Sequence, residues 1–413
     1  MARAKKTTKT QEEPKIQKNE ILATKLKNLN AVMNSINKSA GEMIIGRASD
    51  KEMIDKLTVE VIPTASMRVN KAIGGGWPKG HFSILTGNAD SGKTFMLLET
   101  IAKNMKEDPN FTACWIESEG SLNNEPLDMF GIDRERFYFY PVGSEGGETA
   151  MDYSITFAKQ GVDMIVINSL KCLTPSKEFK DKMADQNVAL QARLNAKFMR
   201  IVIPIIYESN TALVAIQHKS TDIGSYMGGK IISGGDQIKY NSYLTVDNTR
   251  ININSSNPLH SMKDRYMQFR TKVLKNHMRT TVNPFVQCEY TVKIGEGTDV
   301  IGEIVDAAIE QEILDKRGAW IREYDDSGEE RILPDDTKCA WNGMAKFLEF
   351  LNNNPDYVSY LRNKVEGNIE TESLTAEEID ILQQQSTKEE QMVEQLNEVL
   401  DEALEEQFTE KEQ

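Results

Sequence analysis

Two periodicities divide the chain. Leu22, Leu26, Leu29, Met33 and Ile36 recur at spacings of 4, 3, 4 and 3, which is one face of an amphipathic helix. A short apolar arm, Met43-Ile44-Ile45, follows it. Such a face packs on its own domain or docks on a neighbouring subunit, and the pattern fits both. From about residue 60 the pattern changes to short apolar runs at 82–87, 112–118, 164–170, 212–218 and 242–248. Helical stretches separate them, notably 94–106 and 187–207. The first four runs are almost continuously apolar and lead into polar or Gly-rich loops. That alternation predicts an α/β fold with a parallel-rich central sheet covered by helices on both faces. Ligands of such sheets gather at the carboxyl ends of the strands. Near residue 295 the pattern changes again. IGEIVDAAIEQEIL and MAKFLEFL predict two short helices flanking a small sheet at AWIREY. No internal repeat is present.

These changes divide the chain into a polar, basic segment read as disordered (1–19), a helix and arm (20–60), a core (61–294), a small α/β domain (295–365) and a tail (366–413). Composition changes this picture at one place. Of the 413 residues 39% are hydrophobic and 27% charged, ordinary for a globular chain. The net charge of −14 is entirely the tail's, because residues 366–413 set 16 carboxylates against Lys388 and Lys411. The remaining body is neutral, which leaves room for a local basic groove. No run approaches the roughly 18 apolar residues of a membrane helix, and the basic N-terminus has no apolar signal core. A cytoplasmic protein with no membrane contact is therefore expected. Cys114, Cys172, Cys288 and Cys339 are scattered, a spacing that suggests neither a disulfide framework nor a zinc site.

Candidate chemistry begins after the first core strand. Gly87-Asn88-Ala89-Asp90-Ser91-Gly92-Lys93-Thr94 fits G-x-x-x-x-G-K-[ST], with an apolar strand leading in and a helix leading out. Glycines let the backbone curl so that its N–H groups face phosphate oxygens. Lys93 supplies charge to the β- and γ-phosphates of ATP, and the Thr94 hydroxyl can ligate Mg²⁺. Glu119 follows the second strand, where a carboxylate can orient and deprotonate an attacking water. A Glu there is more often a solvated loop residue, and its place relative to the phosphate loop is what raises it. The third strand ends at Asn168, where such ATPases usually carry an Asp for the Mg²⁺ water shell; an amide can hydrogen-bond that shell without bringing charge. His218 ends the fourth strand, either as a satisfied strand-end His or as a sensor of the γ-phosphate. Lys219–Gly235 has Tyr226 and Met227 at its centre and Gly234-Gly235 at its end. By composition it is a flexible surface loop, one whose apolar tip could wedge between bases. Arg193 and Arg200, seven apart, share a helix face and are by default solvated.

The segments INKSAGEMI, GNADSGKT, WIESEGSL, MIVINSLKCLTP, IQHKSTDIG, ISGGDQIKY, TKVLKNHM and GEGTDVIGEIVDAAIEQEILDKRGAW together resemble the RecA-type recombinases, close to the phage UvsX-like branch, from about residue 36 to 365. The resemblance implies a RecA-like P-loop ATPase core with an N-terminal helix arm and a small C-terminal domain. It implies Lys93 and Thr94 for phosphate and Mg²⁺, Glu119 as general base, and His218 as γ-phosphate sensor, where bacterial relatives carry glutamine. Lys219–Gly235 resembles the second DNA-binding loop, so Lys219, Tyr226, Met227, Gly234 and Gly235 become DNA-binding candidates, and Asp181–Val188 lies where the first loop is. Arg193 and Arg200 match positions on the DNA backbone. Lys275 and His277 match a lysine pair that reaches a neighbour's ATP. Asn168, His277 and Pro126 (at the place of an adenine-stacking tyrosine) depart from the pattern. The function implied is a DNA-dependent ATPase that forms a helical homo-oligomeric filament on single-stranded DNA and pairs it with duplex DNA. A ring-forming helicase of the same core fold and a weakly hydrolysing accessory protein are the alternatives.

Overall fold

The computed structural model describes residues 13–179, 190–221, 230–232, 236–253, 265–278, 286–325, 327–334, 337–366 and 372–373. The chain divides into two compact units, 1–59 and 60–413.

In the first unit, α1 (Glu13–Ala40) carries the amphipathic pattern and α2 (Lys51–Leu57) follows it. The helix α1 begins inside the 1–19 segment whose composition reads as disordered. Pro14 falls in its first turn, where a missing N–H breaks no helical bond. Leu22, Leu26, Leu29 and Ile36 are exposed along α1. Asn37 fixes the arm that follows: its Oδ1 accepts from the N–H groups of Ile44 and Ile45 at 3.1 and 3.0 Å, and its Nδ2 donates to the Ile45 carbonyl at 2.7 Å.

The second unit opens with β1 (Val61–Ile62), α3 (Met67–Ile73) and β2 (Trp77–Pro78), β1 and β2 pairing antiparallel. Strands and helices then alternate: β3 (Phe82–Gly87), α4 (Lys93–Glu107), β4 (Ala113–Glu117), α5 (Asn124–Phe130), β5 (Phe137–Pro141), α6 (Gly147–Lys159), β6 (Met164–Asn168), α7 (Leu190–Ser209) and β7 (Ala212–Thr221). After the short β8 (Lys230–Ile232) and α8 (Asp236–Asn241) come β9 (Leu244–Ile251), β10 (Tyr266–Asn276), β11 (Val286–Lys293) and β12 (Gly297–Thr298). The sheet runs β12-β11-β10-β9-β3-β7-β6-β4-β5. It is parallel from β9 through β3, β7, β6 and β4 to β5, and antiparallel beyond β9.

The continuous apolar runs follow from this burial on both faces. Leu85, Val166, Val214 and Ile216 join Leu97 and Ile101 of α4 in one core. Their neighbours Ile84, Ile165, Ile167 and Ala215 join Phe198, Met199 and Val202 of α7 in the other. A third core lies under α9 (Val300–Glu310), the small sheet β13 (Asp315–Arg317), β14 (Trp320–Arg322) and β15 (Ala340–Asn342), and α10 (Met344–Asn353). A third helix, α11 (Pro355–Glu366), completes this region beyond the two the sequence predicts, burying Tyr357, Leu361 and Val365 at i, i+4, i+8. A two-residue strand, β16 (Glu372–Ser373), pairs with β11, and the rest of the acidic tail beyond Glu366 lies outside the described residues. No helix among the described residues is long and apolar enough to cross a membrane.

Candidate active site

The strand register brings the predicted site to one end of the sheet. Glu117 pairs with Asn168, Asn168 with Ile216, and Gly87 with His218, so β3, β4, β6 and β7 finish side by side. The phosphate loop springs from β3. A Cβ on Gly87 would collide with the Asn248 carbonyl and the Ser91 Oγ, and one on Gly92 (φ +76°) would press to 2.9 Å on the Phe269 ring. Only glycine lets the backbone approach that closely. The loop is braced from β9: Asn248 Nδ2 donates to the Ser91 carbonyl at 2.6 Å and to the Tyr290 hydroxyl at 2.9 Å, while its Oδ1 accepts from Thr271 Oγ1 at 2.9 Å.

Lys93 is buried, and its Nζ turns onto the loop itself, donating to the carbonyls of Asn88 at 2.7 Å and Gly87 at 3.3 Å. Burial pushes its ammonium below the ordinary lysine range, and the charges of Glu119, Asp247 and Asp90 oppose that fall. Three carboxylates are thus near enough to feel Lys93. Glu119 Oε1 meets His218 Nε2 at 2.8 Å, so the base candidate and the sensor candidate touch. Cys172 Sγ approaches the same oxygen at 3.8 Å.

Thr94 opens α4 half-buried. The Asn168 amide nitrogen donates to Glu117 Oε2 at 2.9 Å and to Ser121 Oγ at 3.2 Å, and its Oδ1 is buried without a partner among the described residues. Thr86 Oγ1, Ser169 Oγ, both polar atoms of Gln217 and Asp247 Oδ1 share that condition. Buried polar atoms are normally satisfied. A cluster of orphans at the strand ends, beside a glycine cradle and a buried cation, fits a polar, anionic ligand with its metal.

Asp247 and Glu117 are site residues that sequence reasoning missed. Asp247 lies beside Thr86 in the register, is buried, and holds Lys219 Nζ at 2.7 Å. Lys219 is therefore tethered at the root of the stretch assigned to the second DNA loop. That stretch is not loop throughout: Lys219, Ser220 and Thr221 pair antiparallel with Ile232, Ile231 and Lys230. Tyr226, Met227, Gly234 and Gly235 lie outside the described residues, as does Asp181–Val188. Arg193 and Arg200 are both exposed on α7. Pro126 sits in the first turn of α5.

Lys275 and His277 are not brought to the site. β10 runs back along β9, pairing Asn276 with Leu244, and Leu244 pairs with Ser83 at the start of β3. The two residues thus lie at the end of the sheet opposite the phosphate loop, about 13 Å away at the rise of four strand residues. There Lys275 Nζ donates to the Lys239 and Tyr240 carbonyls at 3.0 and 2.9 Å, and His277 stacks near Tyr243, which meets His81 at 3.8 Å between ring centroids. Burial lowers the pKa of both Lys275 and His277, and the Lys275 charge lowers that of His277 further.

The family model described as the RecA N-terminal domain matches residues 27–299. Protein RecA of Campylobacter lari is 33% identical over 302 residues, covering 72% of this chain and 83% of the relative. Protein RecA of Bartonella quintana (strain Toulouse) is 33% identical, covering 72% and 82%. Protein RecA of Campylobacter jejuni subsp. doylei is 29% identical over 356 residues, covering 85% and 96%.

Proposed function

The chain belongs to the RecA family, a RecA-type recombinase and DNA-dependent ATPase, and from that premise we propose that its protomers join head to tail on single-stranded DNA and pair that strand with duplex DNA. The ring helicase and the accessory protein give way to this family assignment. The observation that carries the proposal is the contact of Glu119 with His218 at 2.8 Å, with Lys219 next in the chain. One histidine then touches the group that acts on water and begins the segment assigned to DNA, so nucleotide state and DNA grip share a lever. Histidine at this place also favours the phage UvsX-like branch.

ATP lies on the phosphate loop, its phosphates facing the N–H groups of Gly87–Thr94 and the Lys93 ammonium. Thr94 Oγ1 and Asn168 Oδ1 would hold Mg²⁺, and the ion would supply charge neutralisation at the phosphates. Glu119 aligns the attacking water and takes its proton. His218 reports the γ-phosphate to Lys219 and the loop beyond. Arg193 and Arg200 contact the DNA backbone, and Lys219, Tyr226, Met227, Gly234 and Gly235 form the second contact region. The topology supports a role in trans for Lys275 and His277, because they lie at the sheet end away from their own phosphate loop and are not placed to serve their own nucleotide.

The test is hydrolysis with no DNA, single-stranded DNA and duplex DNA, with the same samples imaged. Single-stranded DNA should stimulate turnover and support open helical filaments. Lys93→Ala should lose turnover and ATP-dependent DNA binding at an unchanged melting temperature. DNA-independent turnover or closed rings would overturn the reading.

A further inference from the structure

This inference rests on Glu119 as the base. Glu117 is 3% exposed, and both of its oxygens are engaged. Oε1 accepts from the backbone N–H of Glu119 at 3.0 Å, and from the N–H and hydroxyl of Ser121 at 3.3 and 3.4 Å. The side chain thereby closes the turn on which Glu119 is mounted. Oε2 accepts from the Trp115 indole N–H and the Asn168 amide, each at 2.9 Å. Across the same seam, Ser118 N–H donates to the Asn168 carbonyl at 2.6 Å and the Ser118 hydroxyl to the Ser169 carbonyl at 2.9 Å. The end of β4 is thus stitched to the end of β6 through one carboxylate that only accepts and one amide that donates to it.

We propose that Glu117 is a positioning residue for the hydrolytic step, and that residue 168 is an amide in this chain because it must donate to Glu117. An acid at 168 would set a carboxylate oxygen against Glu117 Oε2 in a buried place, acceptor against acceptor and charge against charge. The amide instead satisfies Glu117 with its nitrogen and keeps its oxygen for the metal side. Asn168 is thereby one half of a matched pair, and its exchange for an acid is harmful unless Glu117 changes with it. Glu119 is carried by the turn that this pair holds, so a disturbance at 168 reaches the water-activating carboxylate through Glu117.

The experiment measures kcat and KM for ATP with saturating single-stranded DNA, the affinity for a non-hydrolysed ATP analogue, and the melting temperature. The proteins are wild type, Asn168→Ala, Asn168→Asp, Glu117→Gln, and Glu117→Gln combined with Asn168→Asp. Turnover should fall in the order wild type, Asn168→Ala, Asn168→Asp, the last by a factor on the order of 10², the scale of a catalytic group displaced by about 1 Å. Analogue affinity should stay within about threefold in Glu117→Gln, which leaves the groups facing the phosphates and the metal in place. The double variant should recover at least about tenfold over Asn168→Asp, because a neutral amide at position 117 no longer sets charge against the acid at position 168 and can donate to it, a gain only partly offset by the donor it turns toward the Trp115 N–H. Asn168→Asp turning over as fast as wild type, the result expected of a metal-binding acid restored, overturns the proposal. So does a double variant no faster than Asn168→Asp. If Asn168→Asp does not fold, the double variant must fold and must hydrolyse ATP; failure in either respect overturns the proposal. Normal turnover by Glu119→Gln would sink the base assignment itself, whatever the order at 168.

Discussion

At the level of single residues the site is a set of opposed pulls on a few protons. Burial draws the Lys93 ammonium toward its neutral form while Glu119, Asp247 and Asp90 hold it charged, and Glu119 in turn leans on His218 Nε2. Replacing Glu119 with glutamine keeps the shape and the contact with His218 but removes the proton acceptor. Glu119→Gln should therefore bind ATP as wild type does and turn over slower by a factor on the order of 10² or more; equal turnover in a single-turnover assay would place the base elsewhere. Glu119, Lys93 and Thr94 were legible in the sequence because their chemistry is tied to a motif and to strand ends. Glu117 and Asp247 were not. Each is a carboxylate in or beside an apolar run, and nothing in a linear sequence tells a buried, bonded carboxylate from a solvated one. Only the register, which puts Glu117 opposite Asn168 and Asp247 beside Thr86, supplies the partners.

Among the elements, the parallel strands were the most legible, since burial on both faces writes a continuous apolar run. β3 matches its predicted span at 82–87, and β6 falls within its own. The antiparallel half of the sheet was less so. β10 and β11 alternate half-buried and buried positions with charged side chains between them, and the apolar runs that predict strands do not include them. Yet this half backs the phosphate loop, because Thr271 of β10 and Tyr290 of β11 hold the Asn248 side chain that reaches the Ser91 carbonyl from β9. Asn248→Ala would strand the Ser91 carbonyl, the Tyr290 hydroxyl and the Thr271 hydroxyl in the core, at a cost of about 1–3 kcal/mol. Its melting temperature should drop, and its nucleotide affinity should drop with it; a loss of stability at unchanged affinity would mean that the loop needs no brace.

Across the whole of the larger unit, a buried carboxylate ties the small C-terminal region to the core. Glu303 on α9 accepts from the Ser66 hydroxyl at 2.6 Å and the Met67 N–H at 3.0 Å at the start of α3. Burial pushes its pKa up to about 7, against the opposing pull of the Ser66 bond and the Arg68 charge. A carboxyl whose pKa is raised by folding contributes stability that is fully present below its unfolded value of about 4.5 and is lost as pH climbs through about 7. Stability should accordingly fall between about pH 5 and pH 8, by an amount on the order of 3 kcal/mol at the upper limit, and the melting temperature should fall with it. Glu303→Gln should flatten that slope, and an equally steep profile in the variant would assign it to other groups. Lys275 and His277 give the molecule its other large-scale property, by standing at the sheet end opposite their own phosphate loop. In a row of such protomers the working unit is a junction, and every row has one fewer junction than it has chains. If Lys275 and His277 serve a neighbour's nucleotide, as proposed, the row's two tips are unlike: one presents a loaded cradle that neither residue reaches, the other presents both residues with nothing to serve. Under that proposal nucleotide at the first tip would outlast nucleotide within the row, so the row would carry its own slow-burning cap, and growth and shedding at the two tips would proceed at different rates.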